Sequence, residues 1–188
     1  MTFPSPYSVR KASEEDLPHI TNIFNNEILT NTAIFRKDPV SLQDRTDWFH
    51  SLSSKGYPIL VATSPSSPSP PIAAYAAVVP FRTLPLSSGA VEISVYVHPD
   101  ARGQGLGKTM VNAMEDACRH ASFVSIIAAI TSENSASLVL FRRLGYHQVG
   151  TFTALGRKFN RWLDCTFLEK VLIDLDLPQP QNADAHTT

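Results

Sequence analysis

Residues 95–110 read VYVHPDARGQGLGKTM. The stretch passes from β-branched residues, through Pro99, into glycines at 103, 105 and 107, and then into Lys108-Thr109-Met110. It reads as a strand, a glycine-rich turn and the first turn of a helix. At such a junction successive backbone N–H groups and the positive end of the helix dipole face one point, which suits an anion. Glycine in a helix costs about 1 kcal/mol relative to alanine. Three glycines in five positions therefore argue for a bound ligand rather than a plain turn.

Three anion-binding patterns compete for this turn. A phosphate loop of the form Gly-x-x-x-x-Gly-Lys-[Ser/Thr] fits Gly107-Lys108-Thr109 but needs glycine at 102, where Arg stands. A dinucleotide fingerprint, Gly-x-Gly-x-x-Gly, fits Gly103 and Gly105 but meets Lys108 at its third glycine. The third pattern, Arg-x-x-Gly-x-Gly, is filled by Arg102, Gly105 and Gly107. Arg102 and Lys108 add positive charge around a pyrophosphate-like ligand.

The rest of the chain is that of an ordinary globular protein. Its 188 residues suit one domain with a sizeable core, over residues 1–176, with a tail at 177–188 too polar to fold. A net charge of −1 and no long basic run speak against nucleic acid or an anionic membrane as partner. No apolar run approaches the roughly 18 residues of a membrane span, and the N-terminus lacks a signal-peptide core. Cys118 and Cys165 lie far apart and are read as free, packing thiols in a reducing cytoplasm. The histidines show no metal-ligand spacing, so no metal is expected.

Strands are expected at 7–11, 59–63, 72–79, 90–99, 123–130, 147–154 and 162–172, and helices at 14–29, from Ser41 to Gly56, at 105–120, and from Asn134 or Ser135 to Gly145. In the second helix Leu42, Arg45, Trp48, Phe49 and Leu52 share a side. SPSSPSPP, residues 64–71, is a loop between neighbouring strands. The order βααβββαβαββ mixes consecutive strands with strand–helix–strand units, which predicts an α+β fold with a mixed, largely antiparallel sheet. In the strand before the glycine turn, Val91, Ile93, Val95 and Val97 face one side and Glu92, Ser94 and Tyr96 the other.

The turn and its surroundings resemble the GCN5-related N-acetyltransferases. VEISVYVHPDARGQGLGKTMVNAM (91–114), SENSASLVLFRRLGY (132–146) and LGRKFNRWLDCTFLEK (155–170) are similar to the branch acting on phosphinothricin and methionine sulfoximine, as are NTAIF (31–35) and PVSLQDRTDWF (39–49). The resemblance is collinear over roughly residues 7–172. It implies a central sheet flanked by helices, whose splayed strand pair holds acetyl-CoA. Val95, Tyr96 and Val97 would pair with the pantetheine arm. The N–H groups of Gly103, Gln104, Gly105, Leu106, Gly107 and Lys108 would cradle the pyrophosphate, beside Arg102. Asn134 matches a cofactor-contacting asparagine and equally a helix N-cap. Glu92 matches the candidate base; as a bare residue it is also a solvated surface acid, and its place inside the motif favours the base.

The resemblance further implies direct acetyl transfer to the amine of a small amino acid or analogue, in a cytoplasmic homodimer. Arg82 and Lys158 are candidates for the substrate's acidic group, and the segment around Lys158 alternatively supports dimer contact. Several positions depart from the family pattern. Phe141 stands where relatives carry His or Tyr, Ile93 where many carry His, and Ser87, Ser88 and Ala90 replace larger groups near the acceptor pocket. The general acid is therefore unassigned. A non-catalytic acetyl-CoA-binding module, a nucleotide hydrolase, and acetylation of a polyamine or protein amine are the rival readings.

Overall fold

Capping residues set where the helices begin. Asp16 reaches back to the Ser13 N–H at 2.8 Å, closing a capping box ahead of a 3₁₀ turn at Glu14–Asp16 and then helix α1, Leu17–Thr30. Ser41 and Asp44 do the same for α2, Leu42–Ser53. Leu42, expected on the inner side of that helix, is instead 48% exposed, because it occupies the first helical position, ahead of the packed turns. The computed structural model describes residues 7–64, 71–82 and 89–174. Ser87, Ser88, most of the proline-rich loop and the C-terminal tail lie outside the described residues.

The strands are β1 (Ser8–Lys11), β2 (Ile59–Thr63), β3 (Ala74–Pro80), β4 (Ala90–Val97), β5 (Ser125–Thr131), β6 (His147–Lys158) and β7 (Arg161–Val171). Helices α3 (Leu106–His120) and α4 (Ser135–Arg143) flank β5 in sequence. All seven strands join one sheet in the order β1-β2-β3-β4-β5-β7-β6. Only β4 and β5 run parallel; the other neighbours are antiparallel. The architecture is the expected α+β fold.

Strand alternation supplies two cores. Val91 and Ile93 pack with Leu106, Met110 and Met114 on the α3 face. On the opposite face Leu17, Ile20, Phe49 and Leu52 of α1 and α2 cover Val61, Tyr75 and Ala77. Tyr96 belongs to this second face, edge-on to Phe24 at 5.7 Å.

β6 runs four residues beyond its expected end at 154. Its pairing with β7 is interrupted between Gln148 and Gly150 and again between Phe152 and Gly156. Ala154 adopts φ +53° within the second irregularity, and its N–H is held by Asp164 at 2.8 Å. The bulge breaks the period-2 signal, so the strand's second half is invisible to pattern reading. Phe159 and Asn160, both at positive φ, then close a two-residue hairpin between Lys158 and Arg161.

Candidate active site

The site begins where two strands part. β4 pairs with β5 only through Ala90–Ser125, Val91–Ile126 and Glu92–Ile127, although both strands continue. Beyond Glu92, β4 stays paired with β3, from Ser94–Ala77 to Val97–Ala74. Its other edge therefore faces open space with unpaired backbone groups. A cavity of about 910 Å³ fills the gap, bordered by Ser94–Val97 on one side and Ala128–Thr131 on the other.

At the far end of β4 the chain turns through Pro99–Ala101 into the glycine loop. His98 caps this turn through Nδ1, which accepts from Asp100 N–H at 3.3 Å. Gly103 and Gly105 take φ +77° and +76°, conformations that carry little penalty only for glycine. Gly107 has a different role: a Cβ there would meet Leu140 Cδ2 at 3.1 Å, so it lets α3 approach α4. The N–H groups of residues 103–108 find no acceptor among the described residues; Thr109 N–H is the first matched, to Gly105 O at 3.2 Å. These free donors follow directly on Arg102, which borders the cavity; residues 103–108 themselves are not on its wall. Lys108 is exposed, whereas the Leu106 side chain is buried in the core.

Arg102 borders the cavity, but its guanidinium is already engaged. Nη2 donates to Glu27 Oε1 of α1, and Nε donates to the Val97 carbonyl at 3.2 Å. Asn134 also borders the cavity and is the N-cap of α4, its Oδ1 accepting from Ser137 N–H at 3.1 Å.

Glu92 lies on the inner face of β4, half-buried, and lines the cavity where the two strands separate. Burial pushes its carboxyl above the usual carboxylate range, with no cation offsetting the effect. Cys165, on β7, lines the same cavity. Burial, with the charge of Glu92 adding to it, pushes this thiol up to about 11. Sequence reading took Cys165 for a packing residue. The signal it missed is the alternation of β7, which puts Cys165 and Phe167 on one side and Thr166 and Leu168 on the other.

The segment 31–35 forms a further part of the wall. Thr131 Oγ1 donates to Thr32 O at 2.7 Å, and Thr32 Oγ1 donates to Glu133 at 2.6 Å. Glu133 in turn accepts both ends of the Arg161 guanidinium, at 2.7 and 2.8 Å. Phe35 lies against Gly156, where a Cβ would meet its ring at 2.8 Å. Lys158, a candidate for the substrate's acid group, is 7% exposed and is absent from the cavity wall. Its ammonium donates to the carbonyls of Asn31 and Ile34 at 2.5 and 2.8 Å, so the structure assigns it to holding this segment. Arg82 is likewise not on the wall; its guanidinium sits 5.6 Å from the Phe81 ring centre. Phe141 is 5% exposed and edge-on to Tyr146 at 4.9 Å, an apolar member of the wall without a proton to give. Among the described residues no group of three or more His, Cys, Asp or Glu side chains is placed to hold a metal.

Comparison with known proteins follows the same lines. A family model described as an acetyltransferase (GNAT) domain matches residues 9–167. The chain is similar to the L-methionine sulfoximine/L-methionine sulfone acetyltransferase of Pseudomonas aeruginosa, 41% identical over 86% of this chain and 92% of that protein. It is also similar to the phosphinothricin N-acetyltransferase of Streptomyces coelicolor, 34% identical over 87% of this chain and 95% of that one. Among solved structures, yncA of Salmonella typhimurium with its cofactor acetyl-CoA superposes with a TM-score of 0.86 at 31% identity, covering 93% and 99% of the two chains.

Proposed function

The chain belongs to the GNAT acetyltransferase family, and from that membership we propose that it moves an acetyl group from acetyl-CoA directly to the amine of a small amino acid or amino-acid analogue, of the methionine sulfoximine or phosphinothricin type. The observation that carries the reading is the parting of β4 from β5, with a carboxylate at the fork and unpaired N–H groups in the glycine turn that follows β4.

Acetyl-CoA supplies a thioester carbonyl that an amine can attack. The chain's residues fit that cosubstrate in kind. The free N–H groups of residues 103–108 suit its pyrophosphate, and the β4 edge along Val95, Tyr96 and Val97, which has parted from β5 and shares only the Val97 carbonyl with Arg102, suits the amides of its pantetheine arm. Strand N–H groups near Val95 are candidates to hold the developing oxyanion. Glu92 takes a proton from the incoming amine, directly or through a water. Its raised proton affinity makes it a better base than an exposed carboxylate, and such assistance is worth on the order of 10²–10⁴ in rate. Holding amine and thioester together supplies the larger share.

Transfer without an enzyme-bound acetyl group is favoured by the state of Cys165. A thiol held at about 11 is almost wholly protonated at neutral pH and is a poor nucleophile. Arg82, over Phe81, whose ring meets Phe167 of the cavity wall at 6.4 Å, stays a candidate for the substrate carboxylate through the pairing that guanidinium favours. The proposed homodimer rests on exposed apolar side chains of the outer strands, among them Val149, Phe152 and Trp162. Two buried, unpaired cysteines fit a reducing cytoplasm.

The test is release of free thiol from acetyl-CoA across a panel of methionine sulfoximine, phosphinothricin, the common amino acids and polyamines. Turnover with the first two is expected. Thiol release with none of them, or with polyamines alone, overturns the acceptor class.

A further inference from the structure

Glu27 takes no part in the chemistry above, yet it sits at 6% exposure on the cavity wall. Its two oxygens serve two different loops. Oε1 accepts from Arg102 Nη2, and Oε2 accepts from Asn31 Nδ2 at 2.9 Å. Arg102 opens the glycine loop and also holds the end of β4 through the Val97 carbonyl. Asn31 opens the wall segment 31–35, whose carbonyls at 31 and 34 are held by Lys158. A continuous path of hydrogen bonds thus runs from the loop to the wall segment, through one buried carboxylate.

The charges along this path are interdependent. Burial pushes the Glu27 carboxyl up, and Arg102, Asn31 and Lys158 pull it back down. An anion seated on the N–H groups of residues 103–108 draws on the same Arg102 guanidinium. A buried carboxylate that loses part of its cation is costly, so it tightens on its remaining donors. The remaining donor is Asn31, the C-cap of α1 and first residue of the wall segment.

The geometry points to Glu27 as a positioning residue that links the glycine loop to the 31–35 wall, so that a CoA pyrophosphate at the loop orders the surface meeting the acceptor. This rests on the acetyl-CoA reading above. It is a coupling between two binding regions and is reciprocal: an acceptor that orders the wall tightens CoA by the same factor.

Hydrogen exchange with CoA alone as probe tests it without an acceptor. In the wild-type protein saturating CoA slows exchange over both 103–109 and 31–35. In Glu27→Gln, CoA still protects 103–109 but leaves 31–35 as in the free protein. The acceptor KM of that variant rises on the order of tenfold while kcat holds to within about threefold. Asn31→Ala cuts the path at its other end, keeps the buried carboxylate with Arg102, and gives the same split protection. Protection of 31–35 by CoA that is equal in all three proteins overturns the coupling, as does wild-type protection confined to 103–109. Absence of protection at 103–109 in the wild type overturns the acetyl-CoA reading and the coupling with it.

Discussion

Glu92 combines two properties that pull stability and activity apart. Its carboxyl is raised by burial, so the folded chain binds that proton more tightly than the unfolded chain does. The associated stabilisation is complete below the unfolded carboxyl's pKa and is lost as pH rises through the higher, folded value. At neutral pH the ionised base is therefore a cost to the fold, of the kind active sites carry. Glu92→Gln is expected to lower kcat by about 10²–10⁴ while melting at a higher temperature than wild type at pH 7. The gap in melting temperature narrows toward pH 4. Protonated Glu92 accepts nothing, so wild-type kcat/KM climbs with pH through a limb lying above the ordinary carboxylate range. The variant lacks that limb. An unchanged pH profile removes Glu92 from the base role. Cys165 provides the complementary test. Cys165→Ser is expected to keep kcat within about threefold, because a serine accepts the same small space and direct transfer asks nothing of the thiol. A loss approaching that of Glu92→Gln, or acetyl trapped on Cys165 in mass spectra, instead identifies a two-step transfer.

At the scale of elements, local chemistry made most boundaries legible. Ser13, Ser41 and Asn134 mark helix starts because each meets a backbone N–H or a reciprocal carboxylate close by in sequence. The strand β2 and the α3 stripe of Leu106, Met110 and Met114 follow from periodicity alone. What stayed hidden depends on neighbours distant in sequence. The parting of β4 and β5 is a property of two strands, and neither strand's own pattern carries it; only family resemblance anticipated it. Glu27 and Cys165 reach the cavity through packing, and Lys158, charged and next to a motif, passed for a ligand-binding residue when its partners are main-chain carbonyls 124 and 127 residues away. Asn134 is the residue where the two readings overlap, since it caps α4 and also borders the cavity. Asn134→Ser retains a good N-cap and removes the side-chain amide, so the melting temperature should stay within about 1–2 °C, a small fraction of what a lost cap costs. The acetyl-CoA KM should rise several-fold, as expected for one lost hydrogen bond of about 1 kcal/mol. An unchanged KM leaves Asn134 as a cap alone.

For the whole molecule, the outermost strand is the feature that one chain leaves unsolved. Among the described residues β6 ends the sheet, and no described strand covers its outer edge. Single chains protect such edges with charge, proline, shortness or bulges; β6 has two irregularities, yet it is twelve residues long and displays Val149, Phe152 and Leu155 at 64, 57 and 48% exposure. Trp162 on β7 adds a side chain 65% exposed, with Arg157 within 5.8 Å of its ring centre. Exposed apolar and aromatic groups along this outer hairpin are of the kind that interfaces use, and a second copy of the chain is the occupant that family resemblance implies. A contact there would bear on the site, because Leu155 borders the cavity and Phe152 leans edge-on against Phe167 of its wall. Sedimentation at micromolar concentration is expected to give two chains per particle. The double substitution Val149→Glu and Trp162→Glu should give single chains of 20.7 kDa, since two buried charges per protomer cost several kcal/mol at an interface. In the monomer the acceptor KM should rise several-fold, through the loosened Leu155 and Phe152, while the acetyl-CoA KM holds, because the glycine loop lies beyond β5 from this edge. A wild-type chain that sediments as a monomer at these concentrations overturns the dimer. A dissociated variant with an unaltered acceptor KM limits the interface to assembly and leaves each active site complete within its own chain.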